Sequence, residues 1–174
     1  MIKVAVVILN WNGQKFLEKF LPEVVKHSAT FASVFVADNA STDDSVFFLK
    51  KNFPEVKVIE NSENGGFAKG YNDALSQIEA EYYVLLNSDI EVSKNWIQPV
   101  IELLDSDQMI AACQPKICSF QEPSKYEYAV HRVVTSTNLV IRFAVAGFFN
   151  QSKKTKGNTM ILLKYFGQQE LVCL

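Results

Sequence analysis

The run Tyr82-Tyr83-Val84-Leu85-Leu86-Asn87-Ser88-Asp89 ends with an amide and a carboxylate two positions apart. Five apolar or aromatic residues in succession fit a strand covered on both faces, which need not alternate. On extended backbone, residues two apart point the same way, so Asn87 and Asp89 can address one ligand. Oxygen donors at the C-terminal end of an α/β strand suit a hard divalent cation carrying a diphosphate, with Asp89 as the metal ligand. Asn, Ser and Asp are also ordinary turn formers, and Glu91 reads as a solvated or capping residue. Asp38 lies just past a second strand-like run, where an acid can accept hydrogen bonds from a base N–H or a ribose hydroxyl. Asp43 and Asp44, by contrast, fit helix capping. Asn64-Gly65-Gly66-Phe67-Ala68-Lys69-Gly70-Tyr71-Asn72 offers glycines for close backbone approach and a helix N-terminus for an anion. Lys69 can add a point charge there, although a solvated lysine is the simpler reading. The Gly-Gly-x-x-x-Gly spacing is neither a Walker loop nor a dinucleotide fingerprint.

The elements that must hold these groups alternate along the chain. Strands are predicted over Val4–Leu9, Val34–Ala37, Val56–Glu60, Tyr82–Leu86 and Ile110–Gln114. Helices are predicted over about Gln14–His27, Asp44–Asn52, Ala68–Ile78 and Trp96–Leu104. Pro22 is expected to kink or split the first helix. The βαβαβαβα order implies a mostly parallel, Rossmann-like α/β sheet with right-handed crossovers. The loops after the first, second and fourth strands then share one edge.

Composition excludes several classes. The 174 residues suit one domain or a piece of a larger one, and a 48% apolar content is enough for a core. A net charge of −2 and a pI near 5.7 argue against nucleic acid as a partner. Met1-Ile2-Lys3 leads straight into a strand-like run, so no signal peptide is expected, and no apolar stretch fits a membrane-spanning helix. Three cysteines, Cys113, Cys118 and Cys173, with no metal-type pairing, fit reduced thiols in the cytoplasm.

Taken together, the motifs resemble inverting glycosyltransferases of family 2, with the GT-A nucleotide-diphospho-sugar transferase fold. Val-Ile-Leu-Asn-Trp-Asn-Gly (7–13) is similar to the family's first nucleotide-binding strand and turn, which brings in Leu9, Asn10, Trp11 and Asn12. Val-Ala-Asp-Asn-Ala-Ser-Thr-Asp-Asp-Ser (36–45) resembles the second-strand motif, with Asp38 on the nucleotide base and Asn39 beside it. Asn64–Asn72 resembles the segment flanking the nucleotide, through Asn64, Gly65, Gly66, Lys69 and Asn72. Asn87-Ser88-Asp89 stands where the family has Asp-x-Asp, with Asn for the first acid as in rhamnosyl- and galactofuranosyl-type members. Covering about residues 3–128, the resemblance implies transfer of a sugar, with inversion, from a nucleotide diphosphate sugar to a glycan or lipid-linked glycan acceptor. It also implies Mg²⁺ or Mn²⁺ on the diphosphate and work at the cytoplasmic face of the membrane, with peripheral association. The family's general base, in a later Glu-Asp type motif, has no match here. A nucleotide-sugar-binding remnant without turnover is the alternative. Nucleotidyltransferase and NAD-dependent oxidoreductase readings fail because Asn10-Trp11-Asn12-Gly13 is no glycine-rich phosphate loop.

The charge breaks near residue 129. Residues 1–128 hold 11 Lys/Arg and 18 Asp/Glu, whereas residues 129–174 hold 6 Lys/Arg and only Glu170. With permitted codons, the adjacent frame of residues 158–174 spells Tyr-Asp-Asp-Ile-Thr-Glu-Val-Phe-Trp-Ala-Thr-Gly-Ala-Cys-Leu, similar to the continuation family members have there. The expectation is therefore a donor-binding part over 1–128, a GT-A fold incomplete at its C-terminus, and a tail over 129–174 translated out of frame. A basic, apolar surface segment touching membrane is the competing reading of that tail.

Overall fold

In the computed structural model, the described residues are 2–107, 110–114, 117–118, 120, 126–128, 132–135 and 160–164. The first 107 residues alternate strictly: β1 (Ile2–Asn10), α1 (Gln14–Ser28), β2 (Ser33–Asp38), α2 (Ser45–Asn52), β3 (Lys57–Glu60), α3 (Gly66–Leu75), β4 (Ala80–Asn87) and α4 (Gln98–Ser106). Short strands follow: β5 (Ile110–Gln114), β6 (Ile117–Cys118), β7 (Tyr126–Tyr128), β8 (Arg132–Thr135) and β9 (Met160–Lys164).

The main sheet runs β3-β2-β1-β4-β9-β5-β8. Its first four strands are parallel, in register Asn10↔Asp38, Leu9↔Asn87 and Asp38↔Glu60. β9 enters antiparallel between β4 and β5. This is the expected GT-A-type α/β architecture. Residues 132–135 and 160–164, within the stretch expected to be out of frame, supply β8 and β9, and the continuous aliphatic run Met-Ile-Leu-Leu suits a strand paired on both edges.

Strands β1, β2 and β4 bury both faces. Val4, Val6, Ile8, Val34, Val36, Val84 and Leu86 pack with Leu17, Leu21 and Val24 of α1, Leu49 of α2, and Ile101 and Leu104 of α4. The alternate residues Ala5, Val7, Phe35, Ala37, Tyr83 and Leu85 pack with Tyr71, Ala74 and Leu75 of α3. Period-2 alternation thus splits the core into two layers, with α3 against one of them. The alanines let this helix lie close to the sheet.

Two local expectations need correction. Helix α1 runs unbroken through Pro22. That residue is exposed, so the Glu18 carbonyl it leaves unpaired faces water, while buried Leu21 and Val24 hold the turn in place. Helix α3 starts two residues early, at Gly66, whose φ of +76° only glycine adopts without strain.

Candidate functional site

The C-terminal ends of the four parallel strands carry a row of asparagines: Asn10, Asn39, Asn61 and Asn87. Around the first two, two hydrogen-bond networks fix the loops.

The first network centres on Asp38, which is 2% exposed. Its Oδ1 accepts from Asn10 Nδ2 (2.9 Å) and Ser41 Oγ (2.6 Å), and its Oδ2 accepts from the Ser41 N–H (2.8 Å). Ser41 Oγ also accepts from the Asn12 N–H at 2.9 Å. Asn12 reaches back across the cleft: its Oδ1 accepts from the Thr42 N–H (2.7 Å) and the Asp43 N–H (3.3 Å). Asp43 closes the clasp, accepting from the N–H groups of Gln14 and Ser45, both at 3.1 Å. Burial opposes the charge on Asp43, but hydrogen bonds from Ser45 and Gln14 outweigh it and hold the pKa below the usual carboxylate range. Asp43 therefore caps as expected, whereas Asp44 makes no side-chain cap.

The second network joins β2, β3 and α3. Asn39 Nδ2 donates to the Gly66 carbonyl (3.0 Å) and Asn64 Oδ1 (3.4 Å), while its Oδ1 accepts from Asn61 Nδ2 (2.7 Å). Asn61 Nδ2 also donates to the Gly70 carbonyl at 3.0 Å. The Asn64 side chain accepts from the Gly66 N–H at 3.0 Å. Gly70 is required by this contact: an added Cβ would lie 2.5 Å from the Asn39 amide.

The ends of β1 and β4 also meet. A Cβ at Gly13 would come within 2.3 Å of Asn10 Oδ1 and 3.4 Å of Ser88 Oγ. Asn87, Ser88 and Asp89 are half-buried at this edge. Trp11, beside Asn10, is 57% exposed, and Leu9 is half-buried two residues before it. Asn72 is half-buried on α3, and Gly65 precedes that helix. Lys69 is exposed, with its ammonium 2.5 Å from Asp73 and 3.3 Å from Glu63. Asp73 first and Glu63 second raise its pKa.

Among the described residues there is no cluster of three or more His, Cys, Asp or Glu side chains that could cage a metal. Asp89 and Asn87 offer two oxygen donors. That set fits Mg²⁺ or Mn²⁺ where water and a diphosphate complete the shell.

The edge brings together Asn10, Asn12, Asp38, Asn39 and Asn64 through direct bonds, with Ser88 against Gly13. Asn61, and Ser41 as a hub, are members of these networks that motif reading did not assign to the site. The repeated asparagine after each parallel strand is the signal that points to Asn61.

A buried carboxylate ending the second parallel strand and oxygen donors at the end of the fourth stand on the sheet edge where ligands bind in α/β proteins of the doubly wound class. The sequence profile of glycosyl transferase family 2 matches residues 5–166, and the chain belongs to that family. It is 29% identical over 110 residues to the poly(ribitol-phosphate) beta-N-acetylglucosaminyltransferase TarS of Staphylococcus aureus, covering 60% of this chain and 19% of that protein. It is 26% identical over 115 residues to the glycosyltransferase GlyG of Streptococcus pneumoniae, covering 62% and 38%. The chain therefore spans well under half the length of these curated relatives. Among solved structures, S. aureus TarS 1-349 in complex with UDP-GlcNAc superposes with a TM-score of 0.59 at 26% identity, over 66% of this chain and 34% of that one. A mannosyltransferase from Pyrobaculum calidifontis, in complex with GDP-Man and Mn2+, shares the fold with a TM-score of 0.58 at 22% identity, over 67% and 35%.

Proposed function

We propose that this chain is the donor half of an inverting glycosyltransferase, taking a sugar from a nucleotide diphosphate sugar for assembly of a cell-wall glycan or related polymer. The observation that carries this reading is the meeting of the β1, β2 and β4 loops at one edge, in a family 2 chain. Its 26%-identical structural relative was solved with UDP-GlcNAc.

In this reading Asp38 addresses the base. Its Oδ2 accepts a single internal bond and keeps capacity for a ligand N–H. Exposed Trp11 supplies an apolar face for the ring, and the first turn of α3 lies beside the phosphates. Asp89, with Asn87, would hold a divalent cation, and that cation would supply positive charge against the departing diphosphate. The acceptor oxygen attacks the anomeric carbon as the bond to diphosphate breaks. The electron pair leaves with the diphosphate, and a carboxylate base takes the hydroxyl proton. No residue of 1–128 is assigned as that base. Lys69, held by Asp73 and Glu63, fits a surface ion pair better than a phosphate ligand.

Calorimetric titration with UDP, dTDP and GDP, each with and without Mn²⁺, tests this. One of them is expected to bind, at least tenfold more tightly with metal, and Asp89→Ala to abolish the metal effect. Absence of nucleotide binding overturns the donor site. Binding without turnover favours the nucleotide-sugar-binding remnant.

The charge break near residue 129 supports reading the tail as a one-base slip of frame, with the general base encoded beyond it. Sequencing the coding DNA from codon 120 past codon 174 tests it: a slip near codon 129 is expected, and an intact frame overturns it.

A further inference from the structure

One buried hydroxyl ties α3 to the end of β4. Tyr71, on α3, is fully buried against the sheet, and its phenol donates to the Leu86 carbonyl at 2.9 Å. A phenylalanine would fill the same space without a polar group to satisfy. Leu86 is the last residue before Asn87-Ser88-Asp89. The helix carrying Tyr71 is tied by Asn39 at Gly66, its first residue, and by Asn61 at Gly70, one turn on. The Phe67 ring packs edge-on against Tyr71 at 4.8 Å.

From this geometry we infer that Tyr71 is a positioning residue that transmits the setting of the base loop to the end of β4. Asn39 follows Asp38 directly, so the base carboxylate, the α3 backbone and the Asn87–Asp89 turn form one braced unit. Tyr71 touches no ligand. It fixes where the oxygen donors after β4 stand relative to Asp38, which matters for a ligand that must reach both. The ligand's identity in this inference rests on the donor-site reading proposed above.

The test is Tyr71→Phe, read in two ways. In titrations with uridine and with UDP plus Mn²⁺, uridine affinity is expected to stay within twofold, while UDP–Mn²⁺ affinity falls about fivefold, the worth of one ordinary hydrogen bond. In the ligand-free protein, hydrogen exchange at the Ser88 and Asp89 amides is expected to quicken about fivefold by the same measure, with the Val4–Ile8 amides unchanged. Equal loss for uridine and UDP, unaltered exchange at Ser88 and Asp89, or a variant that does not fold would each overturn the inference in favour of a general structural bond. If the wild-type chain binds no nucleotide, the donor reading fails, while the exchange measurement still decides the role of Tyr71.

Discussion

Ala40 holds a φ of +55°, a left-handed conformation that costs a side-chain-bearing residue about 1–2 kcal/mol. The Asp38–Ser41 bonds on either side hold it there. Ala40→Gly removes the strain and gives back part of the gain through a freer unfolded chain. A net stabilisation of about 0.5–1 kcal/mol is expected, read as a thermal midpoint roughly 2 °C higher. Gly70 is the opposite case, limited by space. Gly70→Ala drives a methyl into the buried Asn39 amide, and a loss of about 1–3 kcal/mol in urea denaturation is expected. Neither effect was legible from residue types: Asn-Ala-Ser reads as a plain turn, and nothing in the sequence marks Gly70 as facing Asn39 across 31 positions.

At the level of elements, Asp43 serves the N-termini of α1 and α2 together, through Gln14 and Ser45. Asp43→Ala is expected to cost about 1–2 kcal/mol, measured by chemical denaturation. Because the folded state lowers its pKa, the ionised form stabilises the fold above the unfolded-state pKa. That contribution is lost as pH falls through the folded value. Asp43→Asn should therefore lose less stability than wild type on acidification below about pH 4, in denaturation curves taken across that range. The helices themselves were largely legible, since Leu17, Leu21 and Val24 keep helical spacing. Pro22 misled because its effect depends on which side of the helix faces water, and a local pattern does not supply that. The early start of α3 was hidden for a related reason: two glycines read as a loop until Asn39 and Asn64 are seen holding the first turn.

For the whole molecule, the alternation of strand-like and helical segments was enough to read the class of sheet, and polar residues at strand ends pointed to the edge proposed to carry the site. The pairing of β9 with β4 was not legible. It joins Leu86 to Met160 through backbone bonds, and its aliphatic run resembles any buried segment. Cys113 reports on that half of the sheet, standing in register with Leu162 of β9 and Val133 of β8. Burial raises its thiol to about pKa 11, and only the thiolate reacts. Alkylation of Cys113 near neutral pH, followed by peptide mapping, is expected to be far slower in the native chain than in denaturant. Labelling at the free-thiol rate would show that Cys113 is not buried in the native chain.

The asparagine-rich edge also sets how the protein ages. Two of its asparagines, Asn12 and Asn64, precede glycine and are exposed. Without a side chain on the following residue, the next backbone nitrogen can attack the carboxamide and expel ammonia, and water then opens the resulting succinimide to aspartate or isoaspartate. At Asn64 that chemistry would unfasten the first turn of α3, and at Asn12 it would put a negative charge beside the network of Asp38 and Ser41. Stored protein is therefore expected to lose nucleotide affinity before it loses its fold, in step with deamidated Asn12 and Asn64 peptides in mass spectrometry.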